Sequence, residues 1–259
     1  MIESLQSPHV VRVKALLSSK KERLSQGRFI AEGIQAVREA LLENEGIETL
    51  YLTKSGAERL TKASVDFSSV KVFDIEDKVA SAMSDAITTQ GIIAICKLIN
   101  PEVTQLANFS NDHIIYLLEI QDPGNAGTIL RTADAMGLPA VVTSPGSVDF
   151  FSPKVVRATA GSLWHTRIFS GLEFDSLRKI LPNHNIYLLD GTASKKITEV
   201  DFSRPALWIF GNEARGLNGG ITEQISGAEK IAINMPGNAE SLNLAAAAAI
   251  VMHEISREK

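Results

Sequence analysis

The chain has 259 residues, of which 44% are hydrophobic, and its formal net charge is −4 at pH 7. This length and hydrophobic content support full cores in one large domain or two ordinary ones, which excludes a disordered chain. The acidic balance excludes a strongly basic nucleic-acid-binding protein, because phosphate neutralisation normally requires a basic domain. Residues 1–30 are a local exception, with Glu3 and Glu22 against six basic side chains: Arg12, Lys14, Lys20, Lys21, Arg23 and Arg28.

The cysteine and histidine content limits the possible sites. The single cysteine, Cys96, excludes an intramolecular disulfide and a multi-cysteine zinc site. The five histidines lack metal-ligand spacing, so we expect no metal. The N-terminus has no apolar segment of signal-peptide length, and the longest apolar run, at 244–252, is too short to cross a bilayer. We therefore expect a soluble cytoplasmic protein without a membrane partner.

The first hundred residues alternate helices and strands. A basic amphipathic helix is predicted over Val10–Arg23, and its charges indicate either a solvated helix face or an RNA-binding arm. The other predicted elements are helices at 34–44, 57–62 and 75–83 and strands at 48–53, 71–73 and 91–97. This alternation predicts a small α/β/α sandwich with its own core. The polar stretch 100–112 marks a boundary, so we predict domains at 1–105 and 106–259.

Residues 114–144 predict a strand, a glycine loop, a helix and a second strand. The unbroken apolar run Ile114–Leu118 is typical of a strand buried on both faces, as in a parallel sheet. The turn at 121–127 contains one proline and two glycines, and it leads into a helix that ends at Gly137. A glycine loop at a helix N-terminus suits an anion or a polar ligand.

The rest of the chain continues the α/β alternation and supplies further polar loops. Strands are predicted at 166–169, 185–189, 206–210 and 230–234, and helices at 153–161, 174–181 and 241–257, with Ser241 as the cap of the last helix. Three loops after strands are rich in glycine and polar residues. They contain Asn125, Asn212 with Glu213, and Asn238 with Ser241 and Asn243. Ligands bind beyond the carboxyl ends of parallel strands, so these loops should meet at one crevice.

Several common catalytic motifs are absent from the sequence. No GxxxxGK[ST] segment is present to hold a nucleoside triphosphate, and no GxGxxG follows the first strand of the second half. A GxSxG nucleophile turn is absent as well. The residues alone thus predict an α/β ligand-binding domain with a polar pocket, and they leave the reaction open.

Three segments together resemble the motifs of the SpoU/TrmH family of RNA ribose 2′-O-methyltransferases, within the SPOUT superfamily. They are QDPGNAGTILRTADAMG at 121–137, IFGNEARGLN at 209–218 and INMPGNAESLNLAAAAAI at 233–250. They follow the family's order across the whole second half. The segment RFIAEG at 28–33 and its surroundings resemble the ribosomal-protein-like substrate-binding domain that many members carry.

The resemblance implies a C-terminal SPOUT α/β domain with a deep trefoil knot, S-adenosylmethionine as cofactor and a homodimer. Carried over by motif position, the catalytic residues would be Arg131, Asn125, Glu213, Ser241 and Asn243. The residues expected around the cofactor are Thr143, Gly191, Gly211, Ile233, Met235 and Leu242. Structural alternatives stay open for the polar residues: Arg131 as a solvated charge, Asn125 as a turn residue, Glu213 as a partner of Arg215 and Ser241 as a helix cap.

The implied reaction is methylation of a ribose 2′-hydroxyl in structured RNA. Ribosomal RNA, and 23S RNA in particular, is favoured as the substrate over transfer RNA. A transfer RNA methyltransferase and a non-catalytic RNA-binding or ribosome-assembly factor are the alternatives. The first domain and its basic arm would select the RNA, because the second half reads mainly ribose and cofactor.

Overall fold

The computed structural model describes residues 1–42, 46–211, 225 and 227–257. By their contacts they form two compact units, each with its own sheet. The first unit contains Met1–Ile99 and Asp149–Trp164, and the second contains Asn100–Val148 and His165–Lys259. Within the described residues, no helix combines the length and the apolar character that a membrane crossing requires.

The first unit has a four-stranded mixed sheet. Its strands are β1 (Arg28–Glu32), β2 (Ile47–Leu52), β3 (Val72–Asp74) and β4 (Ile92–Lys97), in the order β1-β4-β2-β3. Strand β4 is antiparallel to β1 and β2, whereas β3 is parallel to β2. The helices before residue 100 are α1 (Pro8–Ser18), α2 (Lys20–Gln26), α3 (Ile34–Leu42), α4 (Lys54–Lys62) and α5 (Asp77–Ala82).

The prediction of one helix over Val10–Arg23 was wrong, because Ser19 divides this stretch into α1 and α2. The Ser19 hydroxyl accepts a hydrogen bond from the backbone N–H of Glu22, which makes it the N-cap of α2. Helix α1 buries Val10, Val13 and Leu16 against the sheet, at the spacing of one helix face.

Half of the basic arm serves the fold of the first unit. The guanidinium groups of Arg12 and Arg28 both pair with Glu48, and the hydrogen bond from Arg12 lowers the pKa of this carboxyl against the opposing effect of burial. The buried Arg23 pairs with Asp149. The three lysines of the arm, Lys14, Lys20 and Lys21, are exposed. Among the six basic residues of the arm, these lysines are therefore the ones most accessible to a nucleic acid.

The segment Asp149–Trp164 packs in the first unit, although the predicted boundary at residue 105 assigned it to the second domain. Its helix α7 (Pro153–Thr159) lies against β1. Phe29 of β1 contacts Phe151 at 5.0 Å and Trp164 at 5.9 Å between ring centroids. The first core is therefore completed by residues that follow the second unit's first strands in the chain.

The second unit has a six-stranded sheet in which all neighbouring strands are parallel, as the buried apolar runs predicted. Its strands are β5 (Ile114–Leu117), β6 (Ala140–Thr143), β7 (Arg167–Phe169), β8 (Asn185–Leu189), β9 (Ala206–Phe210) and β10 (Glu229–Ile231), in the order β10-β8-β9-β5-β6-β7. Its described α-helices are α6 (Pro123–Ala135), α8 (Phe174–Ile180) and α9 (Leu244–Arg257). Helices α6 and α9 pack together.

Candidate active site

A cavity of about 900 Å³ lies at the carboxyl ends of three neighbouring strands of the second unit. The last residues of β8, β9 and β10, namely Leu189, Phe210 and Ile231, form part of its wall. Its volume is within the range of about 300–1,000 Å³ that is usual for small-molecule sites. Its position is the one expected for a ligand in a parallel α/β sheet.

Asn125 and Asn243 meet in this cavity through a direct hydrogen bond. The Nδ2 group of Asn243 donates to Oδ1 of Asn125 at 3.0 Å. Asn125 is held in the first turn of α6, where its backbone N–H donates to Oδ1 of Asp122, the N-cap, at 2.7 Å. The bond thus joins the first and third sequence motifs at one point of the cavity.

Asn243 also begins helix α9, a role that the sequence assigned to Ser241. Its Oδ1 accepts from the backbone N–H of Ala245 at 2.9 Å and of Ala246 at 3.3 Å. The helix starts at Leu244, so the prediction of Ser241 as the cap was wrong. Because the cap uses Oδ1 of Asn243, its Nδ2 group remains available to hold Asn125. Ser241 lines the cavity three residues before the helix.

The turn after β8 supplies a fixed carboxylate that the sequence did not single out. Oδ1 of Asp190 accepts from the backbone N–H and the hydroxyl of Thr192, at 2.9 and 2.7 Å, and Oδ2 lies 2.9 Å from Nζ of Lys230. The hydrogen bond from the Thr192 hydroxyl lowers the pKa of Asp190, and the nearby Lys230 lowers it further. Burial has the opposite effect, but the pKa remains below its usual value. These three residues line the cavity. The run Asp190-Gly191-Thr192 directly after an apolar strand was the signal that could have found them.

Most of the site residues predicted from the resemblance lie around this one cavity. Besides Asn125 and Asn243, the lining includes Ser241 and the expected cofactor contacts Gly191, Gly211, Ile233, Met235 and Leu242. Glu213 lies outside the described residues.

Two predicted residues, Arg131 and Thr143, are not among those that line the cavity. Arg131 is exposed on α6, six positions after Asn125, which corresponds to about 9 Å along a helix. Thr143 is buried at the end of β6, and its hydroxyl accepts from the backbone N–H of Gly171 at 3.3 Å. In the structure Thr143 therefore holds the loop after β7.

The lining of the cavity fits the chemistry of S-adenosylmethionine. Apolar side chains at the strand ends, such as Phe210 and Ile231, can contact the flat adenine. Asp190, Lys230 and Glu240 offer acidic and basic side chains to the ribose hydroxyls and the zwitterionic amino-acid end. In the described part of the chain, no group of three or more His, Cys, Asp or Glu side chains is arranged to hold a metal ion.

The fold and the cavity define an α/β protein with a site suited to a small polar ligand beyond the carboxyl ends of a parallel sheet. Its family is shown by a match over residues 112–253, more than half of the chain, to the SpoU rRNA Methylase family. The chain belongs to this family, as its three motifs predicted, and is an RNA 2′-O-ribose methyltransferase that uses S-adenosylmethionine. Residues 8–94 match the MRM3-like substrate binding domain.

Similar proteins extend over nearly the whole chain. The 23S rRNA (guanosine(2553)-2′-O)-methyltransferase RlmP of Bacillus subtilis (strain 168) is 32% identical and covers 98% of both chains. The 23S rRNA (uridine(2479)-2′-O)-methyltransferase of Streptomyces viridochromogenes is 24% identical over 95% of this chain and 88% of its own length. The AdoMet-bound rRNA methyltransferase of Sinorhizobium meliloti has a similar structure, with a TM-score of 0.84, 29% identity and coverage of 99% of this chain and 97% of its own.

Proposed function

We propose that this enzyme methylates a ribose 2′-hydroxyl of ribosomal RNA, with 23S RNA as the favoured substrate. The observation that carries the proposal is the hydrogen bond between Asn125 and Asn243 inside a cavity at the ends of β8, β9 and β10. Two relatives that match nearly the whole chain support the substrate, since their names specify 23S rRNA. The matched substrate-binding domain at 8–94 supports RNA selection by the first part of the chain.

The cavity residues would hold the cofactor and the reacting ribose in line. S-adenosylmethionine supplies an electrophilic methyl group, so the protein must align donor and acceptor and assist loss of the hydroxyl proton. Gly191, Gly211, Ile233, Met235 and Leu242 would surround the cofactor, and Thr143 would act through the loop that its hydroxyl holds. Asn125, Ser241 and Asn243 would orient the ribose and its adjacent phosphate through hydrogen bonds.

Arg131 would anchor the phosphate next to the reacting ribose. A guanidinium stays protonated in proteins and is a poor general base. Its fixed positive charge would instead stabilise the developing alkoxide, while phosphate or water receives the proton. Glu213, outside the described residues, would hold this arginine or a neighbouring loop.

A homodimer is part of the proposal, because the exposed position of Arg131 leaves a single chain without this residue in its cavity. Exposed residues of the packed helices α6 and α9, among them Arg131, Ala246 and Ile250, offer a surface for a second copy. A partner chain on this surface would bring Arg131 toward a cavity. Sedimentation of the purified chain should give twice the monomer mass, and a monomer would contradict this part of the proposal.

The family resemblance supplies two further elements of the proposal, a deep trefoil knot in the second part and a ribosomal-protein-like first domain. A cytoplasmic location, expected from the sequence, is also part of the proposal. We also propose the division of labour between residues 1–105, for RNA binding, and 106–259, for catalysis. The segment Asp149–Trp164 is structurally part of the first unit, so this functional division does not coincide with the compact units.

Mapping of ribose methylation tests the function directly. Ribosomal and transfer RNA from cells with and without this protein should differ at a site in 23S RNA. Methylation lost from transfer RNA alone would favour a transfer RNA methyltransferase. An unchanged methylation pattern, together with defective ribosome assembly, would favour a non-catalytic factor.

A further inference from the structure

The loop between α5 and β4, residues 83–91, carries a fully exposed isoleucine at its tip. Ile87 has a relative exposure of 107%, the largest among the exposed large hydrophobic residues. The loop lies within the segment that matches a substrate binding domain. A fully exposed apolar side chain contributes little to the stability of the fold. It offers a fixed contact surface only if the loop that carries it is held in place.

The first end of this loop is fixed by two side chains. The Ser84 hydroxyl donates to the nearly buried carboxylate of Glu32 and accepts from the backbone N–H of Ala86, the latter at 3.0 Å. The next residue, Asp85, accepts from Nη2 of Arg157 at 2.8 Å. The backbone just before Ile87 is thereby attached to β1 and to α7.

The second end of the loop is also held by hydrogen bonds. The side-chain oxygen of Gln90 accepts from the backbone N–H of Ile34, the first residue of α3, at 2.9 Å. The carbonyl of Gly91 accepts from the N–H of Thr53 at 3.0 Å. Gly91 has φ +72°, and a Cβ atom there would lie 2.1 Å from the Thr53 hydroxyl. Glycine is therefore required at the point where the loop joins β4.

Other exposed apolar residues of the first unit are less exposed than Ile87, with Met1 next at 80%. Leu42, Leu24 and Val11 are 72%, 62% and 59% exposed, and each lies on a helix. Ile87 is fully exposed and is held between two fixed ends. Fixing a contact residue before binding lowers the entropic cost of the complex.

We propose that Ile87 is a base-contacting residue of the substrate domain, packing against an unpaired base of the RNA substrate. Sequence-specific RNA recognition targets bases that are splayed out of the helix. Apolar side chains on rigid elements pack against or between such bases. The adjacent Thr88 is exposed and its hydroxyl can donate and accept hydrogen bonds at a base edge. This inference rests on RNA as the substrate of the proposed function.

A single projecting side chain fits a base better than a protein partner. A stable protein interface buries about 800 Å² on each side, whereas the apolar surface here is one isoleucine with threonines after it. One isoleucine and one or two hydroxyls match the size of one nucleotide. The occupant we infer is therefore a nucleotide in a loop or bulge of ribosomal RNA.

RNA affinity of an Ile87→Ser variant tests this inference. Filter binding would use ribosomal RNA from cells that lack the protein, with the full chain as wild type, as Ile87→Ser and as Ile87→Leu. We expect the Kd of Ile87→Ser to rise about tenfold, which corresponds to about 1.4 kcal/mol. The Ile87→Leu variant keeps an apolar side chain of the same volume, so its Kd should stay within about twofold.

A matched control is Leu42→Ser, which removes an exposed leucine from the far end of α3. Residue 42 lies eight positions from Ile34, about 12 Å along the helix from the end that Gln90 contacts. Its RNA affinity should equal that of the wild type. An equal loss in Leu42→Ser, or an unchanged Kd in Ile87→Ser, would overturn the inference, and the unchanged Kd would leave a protein partner as the occupant.

The salt dependence of binding separates a base contact from a phosphate contact. Loss of an apolar contact should give the same fold-change in Kd at about 50 and about 200 mM salt, because no counterions are involved. A fold-change that shrinks as salt rises would contradict a base contact. Methyl transfer from labelled S-adenosylmethionine is measured in parallel. Wild-type protein that binds RNA without methylating it contradicts the proposed function alone, and wild-type protein that binds no RNA overturns both.

Discussion

Asn243 donates a hydrogen bond of 3.0 Å to Asn125, which lies 118 positions earlier in the chain. The side-chain oxygen of Asn243 caps α9. The side-chain nitrogen of the same residue holds the side chain of Asn125 in the first turn of α6. A single amide therefore fixes both the start of a helix and the orientation of a residue in the cavity. The two roles use different atoms, so substitutions can separate them.

An Asn243→Asp variant should remain stable and lose activity. Aspartate caps helices as well as asparagine, and its charge favours the helix N-terminus. It cannot donate to Asn125, and its second oxygen would face the Oδ1 atom that accepts the present bond. We expect thermal stability close to wild type and methyl transfer reduced at least about tenfold.

The matched variant Asn243→Ala removes both roles. It should lose about 1 kcal/mol of stability in addition to activity, because the cap is gone. Urea unfolding and methyl incorporation into RNA measure the two effects. Full activity of Asn243→Asp would show that a hydrogen bond donated by residue 243 to Asn125 is not needed for catalysis.

Arg131→Ala should abolish methyl transfer and leave cofactor affinity within a few fold. Arg131 does not line the cavity, so its loss should not affect cofactor binding, while removal of a charge that stabilises the transition state typically costs about a hundredfold or more in rate. Titration calorimetry with S-adenosylmethionine and methyl incorporation provide the two readouts. An equal loss of cofactor binding would count against this role.

A mixed dimer tests whether Arg131 acts on the partner's cavity. Arg131→Ala and Asn243→Ala subunits, each inactive alone, would be coexpressed with different tags and purified as the mixed species. If the arginine serves the other subunit, one complete site forms and activity returns in part. No recovery would place Arg131 with the cavity of its own chain.

Asp149→Asn should destabilise the first unit strongly. The pair of Arg23 and Asp149 is largely buried, with side-chain exposures of 6% and 14%, and a buried charge that loses its partner costs about 3 kcal/mol or more. The control is Lys78→Gln, which breaks the exposed pair with Glu76 and should cost less than about 0.5 kcal/mol. Urea unfolding measures both variants, and equal effects would show that Asp149–Trp164 contributes little to the first core.

Stability should fall as pH decreases below about 6.5 because of His184. Burial lowers the pKa of this histidine in the folded chain from its usual value of 6.5, against a hydrogen bond to the carbonyl of Asp112. Between these two pKa values the unfolded chain binds a proton at His184 that the folded chain does not bind. The free energy of unfolding therefore decreases as pH falls from about 6.5 to the lowered pKa. A His184→Gln variant should show a shallower slope of unfolding free energy against pH, and an unchanged slope would exclude this residue as the cause.

The parallel sheet was predictable because its strands are buried on both faces. The runs at 114–118 and 206–210 are apolar without alternation, which is the pattern of a parallel core strand. Their order in the sheet, β10-β8-β9-β5-β6-β7, could not be read from them. Pairing between strands distant in sequence depends on packing of helices and connections, and no local pattern records it.

The site was partly predictable for a similar reason. Glycine, asparagine and serine after apolar strands indicated three convergent loops, and the cavity contains residues of the first and third motifs together. The pair of Asp190 and Lys230 was missed, because Asp190 lies in the turn after β8, Lys230 lies on β10, and neither belongs to a motif. The cap of α9 was misassigned to Ser241, since Ser241 and Asn243 are both good capping residues and only the backbone decides between them.

By itself the sequence determined the α/β class, the parallel strands, the family and the loops that carry polar residues, because hydrophobic period and turn chemistry are local properties. Only the tertiary structure decided that Asp149–Trp164 completes the first core, that three basic residues of the N-terminal arm bind carboxylates, and that Arg131 is outside the cavity. Each of these outcomes depends on which distant side chain lies within a few ångströms. Burial and ion pairing arise from that proximity. Local sequence patterns do not reveal which residues distant in the chain lie close together.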